Sequence, residues 1–162
     1  MVRPSEAAGT RWNEIDFDLK IWNIPAERMK KKKPHSVPLT NQALEIVESM
    51  RAISGDSEFV FPSHTRPSMH IHPQTANAAL KRMGFSGELV AHGFRSLAST
   101  YLNEQGHRPD VIESALAHSD ANEVRAAYNR ADYIELRREL MFEWSEFIDK
   151  AAESLPRRSH YD

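Results

Sequence analysis

The stretch AHGFRSLASTYLNEQGHRPDVIESALAHSDANEVRAAYNR, residues 91–130, organises the rest of the chain. Its first part predicts an amphipathic helix, because apolar residues recur at a spacing that places them on one helical face. That apolar stripe consists of Phe94, Leu97, Ala98, Tyr101 and Leu102. His92 and Arg95 are three residues apart, so they share one face of the first turn. A helix start favours anions through its free N–H groups, and an arginine there indicates a bound phosphate.

The second part of this stretch predicts two further helices. Pro109 begins the first of them. Its expected buried side consists of Val111, Ile112, Ala115 and Leu116. His118 follows, and by residue type alone it fits either a functional role or a cation at a helix C-terminus. A short helix over 123–130 carries Tyr128, whose polar surroundings favour a functional role over the commoner core position.

The C-terminal part of the chain predicts one more apolar stripe, which begins at Tyr133 and lies in the core. Its further members are Leu136, Leu140, Met141, Trp144, Phe147 and Ile148. Tyr101 is likewise expected in the core, because it lies on the stripe of the earlier helix. Residues 156–162 are polar and are expected to be frayed.

These motifs together resemble the catalytic region of the tyrosine recombinases, also called phage integrases. The resemblance rests on the HxxR pair at 92–95 and on the run LAH that ends at His118, with Tyr128 ten residues later. The run VRAAYNRADYIELRRELMFEW specifically resembles the prophage integrases of the satellite-phage type. The resemblance covers nearly the whole chain. It implies an α+β fold, mostly α-helical, with a helical catalytic core and a small three-stranded antiparallel sheet.

The N-terminal part of the chain fits the same family. Arg3 is followed three residues later by Glu6, as in the family's first arginine box, although a terminal arginine without a role is the alternative. Residues 12–39 predict a small antiparallel sheet, because apolar residues alternate between Ile15 and Leu19 and further strand formers follow.

A basic turn lies within this predicted sheet. It contains Arg28, Lys30, Lys31, Lys32 and Lys33. In the family a catalytic lysine lies in this hairpin, seven residues ahead of the valine of VPL, and Lys30 occupies that position here. The other four residues are expected to contact DNA phosphates, with a role as bystanders as the alternative for Lys31 to Lys33. A solvated turn without a partner is the alternative for the whole run.

The middle of the chain predicts a helix over 41–53, a short strand over 58–61 and a helix over 73–83. The expected inward residues of the two helices are Leu44, Ile46, Val47 and Met50, and then Ala76, Ala79, Leu80 and Met83. The loop between the strand and the second helix contains His64, His70 and His72. No acid or cysteine nearby completes a metal shell, so no metal is expected there.

The composition is that of an ordinary globular protein, with 162 residues, 40% hydrophobic and 27% charged. The chain has no cysteine, so it contains no disulfide and no thiolate zinc site. The net charge of −2 argues against a nucleic-acid partner, but the cations gather at 28–33 and the acids at 135–153. We expect a single catalytic domain over 1–162, with the family's core-binding and arm-binding domains absent from this chain.

The resemblance implies a metal-free reaction without a cofactor. Tyr128 would attack a DNA phosphate and form a 3′-phosphotyrosyl bond, aided by a phenol pKa of ~10. Arg3 and Arg95 would bind the non-bridging oxygens, each with a planar guanidinium that forms paired hydrogen bonds. Since the phosphotyrosyl bond conserves the energy of the broken bond, no ATP would be needed.

The remaining site residues would assist this reaction. Lys30 would protonate the leaving 5′ oxygen, and His92 would help to remove the proton from Tyr128. His118 would hydrogen-bond the phosphate, and Glu6 would position its neighbours. The implied partner is duplex DNA at attachment sites in a bacterial cell that carries a prophage. The full-length protein would be a cytoplasmic tetramer on DNA without membrane contact, and this chain alone a monomer or weak oligomer.

Three other interpretations fit parts of the sequence. A type IB topoisomerase uses the same constellation to relax supercoiled DNA, but the LAH and AYNR runs favour an integrase. An inactive DNA-binding module is the second alternative. All the expected polar residues are present, which argues against it. A metal-dependent nuclease would need a carboxylate cluster, whereas the acids here lie mostly on the last helix.

Overall fold

A computed structural model describes residues 1–118 and 123–154, with side chains for 1–118 and 133–154. The helices are α1 (Pro4–Ala8), α2 (Asn41–Ser49), α3 (Arg51–Ser54), α4 (Thr75–Arg82), α5 (Gly93–Glu104), α6 (Pro109–Ala115) and α7 (Glu123–Ser154). The strands are β1 (Ile15–Asp16), β2 (Ile21–Ile24) and β3 (His35–Pro38), and short 3-10 helices span Trp12–Glu14 and Ala26–Arg28. The predicted α+β class, with helices dominant and a small antiparallel sheet, is confirmed.

The sheet is three-stranded and antiparallel, in the order β1-β2-β3. Its pairing places Trp22 opposite Val37 and Ile24 opposite His35. Because side chains alternate across a strand, Trp22 and Ile24 are buried on one face while Asn23 between them is exposed. This face forms a core with Met29 and Val60, which anchors the basic turn between β2 and β3.

A second core lies between α5, α6 and α7. Its buried members are Ala98, Leu102, Val111, Ile112, Ala115, Leu116, Tyr133, Leu140 and Trp144. The predicted inward side of α6 and the core position of Tyr133 are therefore confirmed. Tyr101 is half-buried and stacks on Phe147, with ring centroids 4.1 Å apart. Phe94 and Leu97 are exposed, contrary to the predicted stripe, because the core covers α5 only from Ala98 onward.

The last helix differs from the prediction of a short helix over 123–130 followed by a separate stripe. A single helix runs from Glu123 to Ser154, which is consistent with the absence of glycine and proline from this range. It packs on α6 and on β3, and the Arg137 Nη1 atom donates a hydrogen bond of 2.9 Å to the Ser36 carbonyl. Ile148 at the far end of the predicted stripe is exposed.

The middle of the chain is less buried than predicted. The helix predicted over 41–53 is two helices that meet at Met50, and Ile46 is exposed. Residues 58–61 form no strand; the backbone makes only an isolated bridge between Arg11 and Phe59. The helix α4 begins later than Pro73 and buries no residue.

The lower burial of these segments has one cause, because an apolar side chain is buried only where another helix or strand covers its face. No described element packs closely over α4, so Met83 projects into solvent. Within the described ranges, no helix has both the length and the apolar character needed to cross a membrane.

Candidate active site

Arg95 lies at the centre of the candidate site. It projects from the first turn of α5 and is only 5% exposed. Its guanidinium donates to the carbonyl oxygens of Met1 and Leu116, the latter with Nη2 at 2.7 Å. Burial lowers the pKa of Arg95, and the positive charge of Arg3 lowers it further. The buried guanidinium therefore joins the N-terminal segment to the turn that follows α6.

Arg3 and Glu6 form a reciprocal pair at the start of α1. The Arg3 backbone N–H donates to Glu6 Oε2 at 2.7 Å, and Arg3 Nη1 lies 2.8 Å from Glu6 Oε1. Glu6 is only 2% exposed, so both interactions are shielded from solvent. The Glu6 carboxylate also acts on Arg95, where it opposes the lowering of the pKa. The structure thus brings the first arginine box next to the HxxR pair.

His118 completes one side of this cluster. Its Nε2 atom lies 3.5 Å from Arg95 Nη2, and its Nδ1 atom lies 2.6 Å from Glu113 Oε2. A carboxylate on Nδ1 orients the imidazole ring, because it fixes which nitrogen faces Arg95. Glu113 was not singled out from the sequence. Its position five residues before His118, in the last turn of the predicted helix, is the signal that could have identified it.

His92 occupies the N-cap position of α5. Its side chain is exposed, and its carbonyl oxygen accepts a hydrogen bond of 3.1 Å from the Arg95 N–H. His92 and Arg95 therefore lie at the same helix terminus, as the spacing predicted. The His92 side chain is exposed, whereas the Arg95 side chain is buried and hydrogen-bonded to two carbonyl groups.

The basic turn divides into two kinds of residue. Lys30 to Lys33 are exposed between β2 and β3, and Lys32 Nζ donates to the Glu27 carbonyl at 3.1 Å. Within the described ranges Lys30 makes no hydrogen bond or ion pair, so its ammonium is accessible.

Arg28 is oriented differently from these lysines. Its side chain is 16% exposed, forms an ion pair with Glu14 and donates to the Glu6 carbonyl at 2.6 Å. Trp22 Nε1 also donates to Glu14, at 3.0 Å. A Cβ atom at Gly9 would lie 2.9 Å from Arg28 Nη2, so glycine leaves room for the guanidinium. Arg28 therefore holds the N-terminal segment on the sheet.

Tyr128 lies on the backbone of α7, but its side chain falls outside the described residues. Its place on α7 makes the docking of that helix important for the site.

His35 is a half-buried titratable residue beside the site that sequence reasoning did not single out. Burial lowers its pKa to about 4, and the positive charge of Arg137 acts in the same direction while Glu6 opposes it. Arg137 is itself buried on α7, and burial lowers its pKa. The polar character of His35, in a strand of alternating residues, was the only signal in the sequence for this position.

The loop histidines make local contacts. His70 Nδ1 lies 2.6 Å from the Ile71 carbonyl, and its ring meets the edge of Phe59. The Gln74 N–H donates to His72 Nδ1 at 3.1 Å. In the part of the chain that the structure describes, no three His, Cys, Asp or Glu residues are grouped so that they could hold a metal ion.

The cluster as a whole is suited to binding an oxyanion. Two guanidinium groups and two imidazoles gather at the start of α5, where the helix terminus adds positive potential. Glu6 and Glu113 orient the cations and lie at the edges of the group. The oxygens of a tetrahedral phosphate, or of the trigonal-bipyramidal phosphorane formed during its reaction, could accept hydrogen bonds from several of these donors at once.

Comparison with known proteins gives a consistent result. A family model described as "Phage integrase family" matches residues 1–135. The chain is 56% identical over 154 residues to the "Prophage integrase IntA" of Escherichia coli K12, which covers 95% of this chain and 37% of that protein. It is 38% identical to the integrase of Enterobacteria phage P4, covering 91% of the chain and 37% of that protein. It is 35% identical to the integrase of Shigella phage Sf6, covering 92% and 39%. The chain thus spans well under half the length of these relatives.

Proposed function

The chain belongs to the phage integrase family, and we propose that it performs the DNA cleavage and rejoining steps of site-specific recombination. The observation that carries this proposal is the convergence of Arg3 and Arg95 beside His118. These residues come from distant parts of the chain, yet the Arg95 guanidinium donates to the Met1 carbonyl, two residues from Arg3, and also reaches His118.

The two arginines and His118 are proposed to bind the scissile phosphate. Arg95 is held by carbonyl oxygens and Arg3 by Glu6, so neither needs to reorganise when charge develops on the phosphate. Preorganised donors of this kind stabilise a transition state more than mobile ones do. Glu113 would hold the His118 ring in the orientation that donates to the phosphate.

Tyr128 is proposed as the nucleophile. Attack of its phenolic oxygen on phosphorus forms the phosphotyrosyl bond and breaks the bond to the 5′ oxygen, which leaves with a proton. Lys30 would supply that proton from the exposed turn, and His92 would assist removal of the proton from Tyr128. Rejoining is the reverse reaction with a 5′ hydroxyl as the attacking group.

The turn lysines next to Lys30 are proposed to contact the DNA backbone, since their side chains project into solvent. Arg28 fits this role less well, because its guanidinium already binds Glu14 and the Glu6 carbonyl. The partner would be duplex DNA at attachment sites in the cytoplasm of a bacterium. A tetramer on DNA is proposed for the full-length protein.

The test is trapping of a covalent protein–DNA adduct. The probe is a pool of nicked duplexes with a randomised central segment, incubated with the chain in EDTA and denatured in SDS. We expect an adduct whose modified peptide contains Tyr128, and its loss in Tyr128→Phe. Tyr101→Phe is the matched control, because it removes a tyrosine hydroxyl from α5 away from the cluster.

Several results would contradict the proposal. An adduct that persists in Tyr128→Phe, or that maps to another residue, would exclude Tyr128 as nucleophile. Cleavage that disappears in EDTA and returns with magnesium would show that the reaction depends on a metal ion.

A further inference from the structure

A polar cluster that the catalytic proposal does not use joins α6 to α7. The Tyr133 hydroxyl donates a short hydrogen bond to Asp110 Oδ2, and Arg108 Nη2 lies 2.6 Å from the same oxygen. Arg108 Nη2 also reaches the Tyr133 oxygen at 3.4 Å, and its guanidinium carbon lies 5.5 Å from the centre of the tyrosine ring. The Asp110 carboxylate thus binds two donors from different parts of the chain. We call these three residues the α6–α7 anchor.

The anchor differs from an ordinary surface ion pair. Tyr133 is only 7% exposed, and its ring belongs to the core between α5, α6 and α7. The hydroxyl therefore lies at the edge of the core, where it donates its hydrogen bond to Asp110. Hydrogen bonding from Arg108 and Tyr133 lowers the pKa of Asp110, so the carboxylate is ionised and accepts both bonds at neutral pH.

Each end of α6 is tied to a different part of the proposed site. Arg108 and Asp110 lie at its first residues, and there they bind Tyr133 of α7. At the other end, the Leu116 carbonyl and His118 bind Arg95. Helix α6 is therefore a short rigid connection between the phosphate-binding cluster and α7.

The anchor lies close to the proposed nucleophile along the same helix. Tyr133 follows Tyr128 by five residues on α7, which corresponds to about 7.5 Å along the helix axis. Four residues further on, Arg137 donates to the Tyr133 carbonyl at 3.3 Å and to the Ser36 carbonyl of β3 at 2.9 Å. Helix α7 is thus fixed to α6 and to β3 within one turn, directly after the segment that carries Tyr128.

We propose that Tyr133, held by Asp110 and Arg108, is a positioning residue that fixes the Tyr128-bearing part of α7 relative to Arg95 and His118. This inference rests on the proposed function. The anchor would act through the direction of α7, because loss of the hydroxyl would let the first turns of the helix move while the ring stays in the core.

The test measures the first-order rate constant of adduct formation at saturating concentrations of the nicked duplex pool, together with its apparent Kd. Misplacement of a reacting group by about 1 Å costs on the order of a hundredfold in rate. For Tyr133→Phe and Asp110→Asn we therefore expect a rate roughly tenfold to a hundredfold lower, with the Kd nearly unchanged. Tyr101→Phe is the matched control and should react at the wild-type rate. Arg108→Ala tests the exposed member of the anchor, whose side chain is 61% exposed and so does not threaten folding.

Hydrogen exchange of the chain without DNA supplies a second readout, which a general loss of stability would not reproduce. The expected result for Tyr133→Phe is faster exchange at amides of residues 123–132 and unchanged exchange at residues 140–150. A variant that merely lowers global stability would accelerate both segments together.

The outcomes separate this proposal from the proposed function. If the wild-type chain reacts through Tyr128 while both anchor variants react at the rate of Tyr101→Phe, the positioning role is refuted and the function stands. Equal exchange acceleration over the whole of α7 would also overturn it. If the wild-type chain forms no adduct, or its adduct survives in Tyr128→Phe, the proposed function fails and the positioning role fails with it.

Discussion

Acidification should destabilise this protein through His35, the first residue of β3. Burial and the charge of Arg137 lower the pKa of His35 to about 4, whereas an unfolded histidine has a pKa of about 6.5. The folded state therefore excludes a proton that the unfolded state binds. The stability contributed by the neutral imidazole is complete above pH ~6.5 and is lost as the pH falls toward about 4.

The magnitude follows from the difference between the two pKa values. One pKa unit corresponds to about 1.4 kcal/mol, so the full difference between the two values is roughly 3 kcal/mol. At about pH 4.5 nearly 2.5 kcal/mol of this should already be lost. The amino-terminal charge also lowers the pKa of His35, whereas Glu6 raises it, so the pKa of about 4 depends on all of these neighbours.

The assay is urea unfolding of the wild type and His35→Gln at several pH values between 7 and 4.5. Glutamine keeps polar character but does not titrate in this range, so the pH dependence that is lost in the variant belongs to His35. We expect the free energy of unfolding of the wild type to fall more steeply with acid than that of the variant. Parallel curves, or a steeper fall in the variant, would refute the assignment of a neutral, half-buried His35.

Three further predictions follow from other contacts. Lys30→Ala should slow adduct formation by roughly 10²-fold to 10⁴-fold, and a 5′-thio leaving group, which needs no proton, should restore the rate. If the 5′-thio substrate instead rescues Lys31→Ala, the general acid is Lys31 and not Lys30. Arg28→Met should lower the free energy of unfolding by about 3–5 kcal/mol, because the buried Glu14 carboxylate loses its cationic partner. A loss of DNA affinity with an unchanged free energy of unfolding in urea would contradict this. Leu140→Ala should lower the free energy of unfolding by about 2–5 kcal/mol, because this fully buried side chain would leave a cavity between the helices. A melting temperature within 2 °C of the wild type would exclude such a cavity effect.

The proposed phosphate-binding cluster shows which parts of a site can be found by spacing. The distance of three residues between His92 and Arg95 predicted a shared helix terminus, and α5 begins there. Arg3 and Glu6 were linked by the family resemblance, and they form a reciprocal pair across the same spacing of three residues. Interactions within one helical turn depend on local geometry, so they can be predicted without knowledge of the fold.

The basic turn shows where composition alone was insufficient. Arg28 and Lys30 lie two residues apart and carry the same charge, but one is turned toward Glu14 and the other is exposed. The difference arises from Glu14, Trp22 and Gly9, whose positions depend on the folding of the sheet. The opposite directions of the two side chains are a property of the packed structure.

Periodicity and short-range spacing were enough to predict the inward side of α6 and the shared helix terminus of His92 and Arg95, and the family resemblance supplied the α+β class. Which apolar faces are covered depends on tertiary packing, which leaves α4 exposed and half-buries His35. Tertiary packing also decided the meeting of Arg3 with Arg95 and of Tyr133 with Asp110. The physical reason is that burial and long-range contact depend on which elements pack together, and spacing along one segment carries no information about its neighbours.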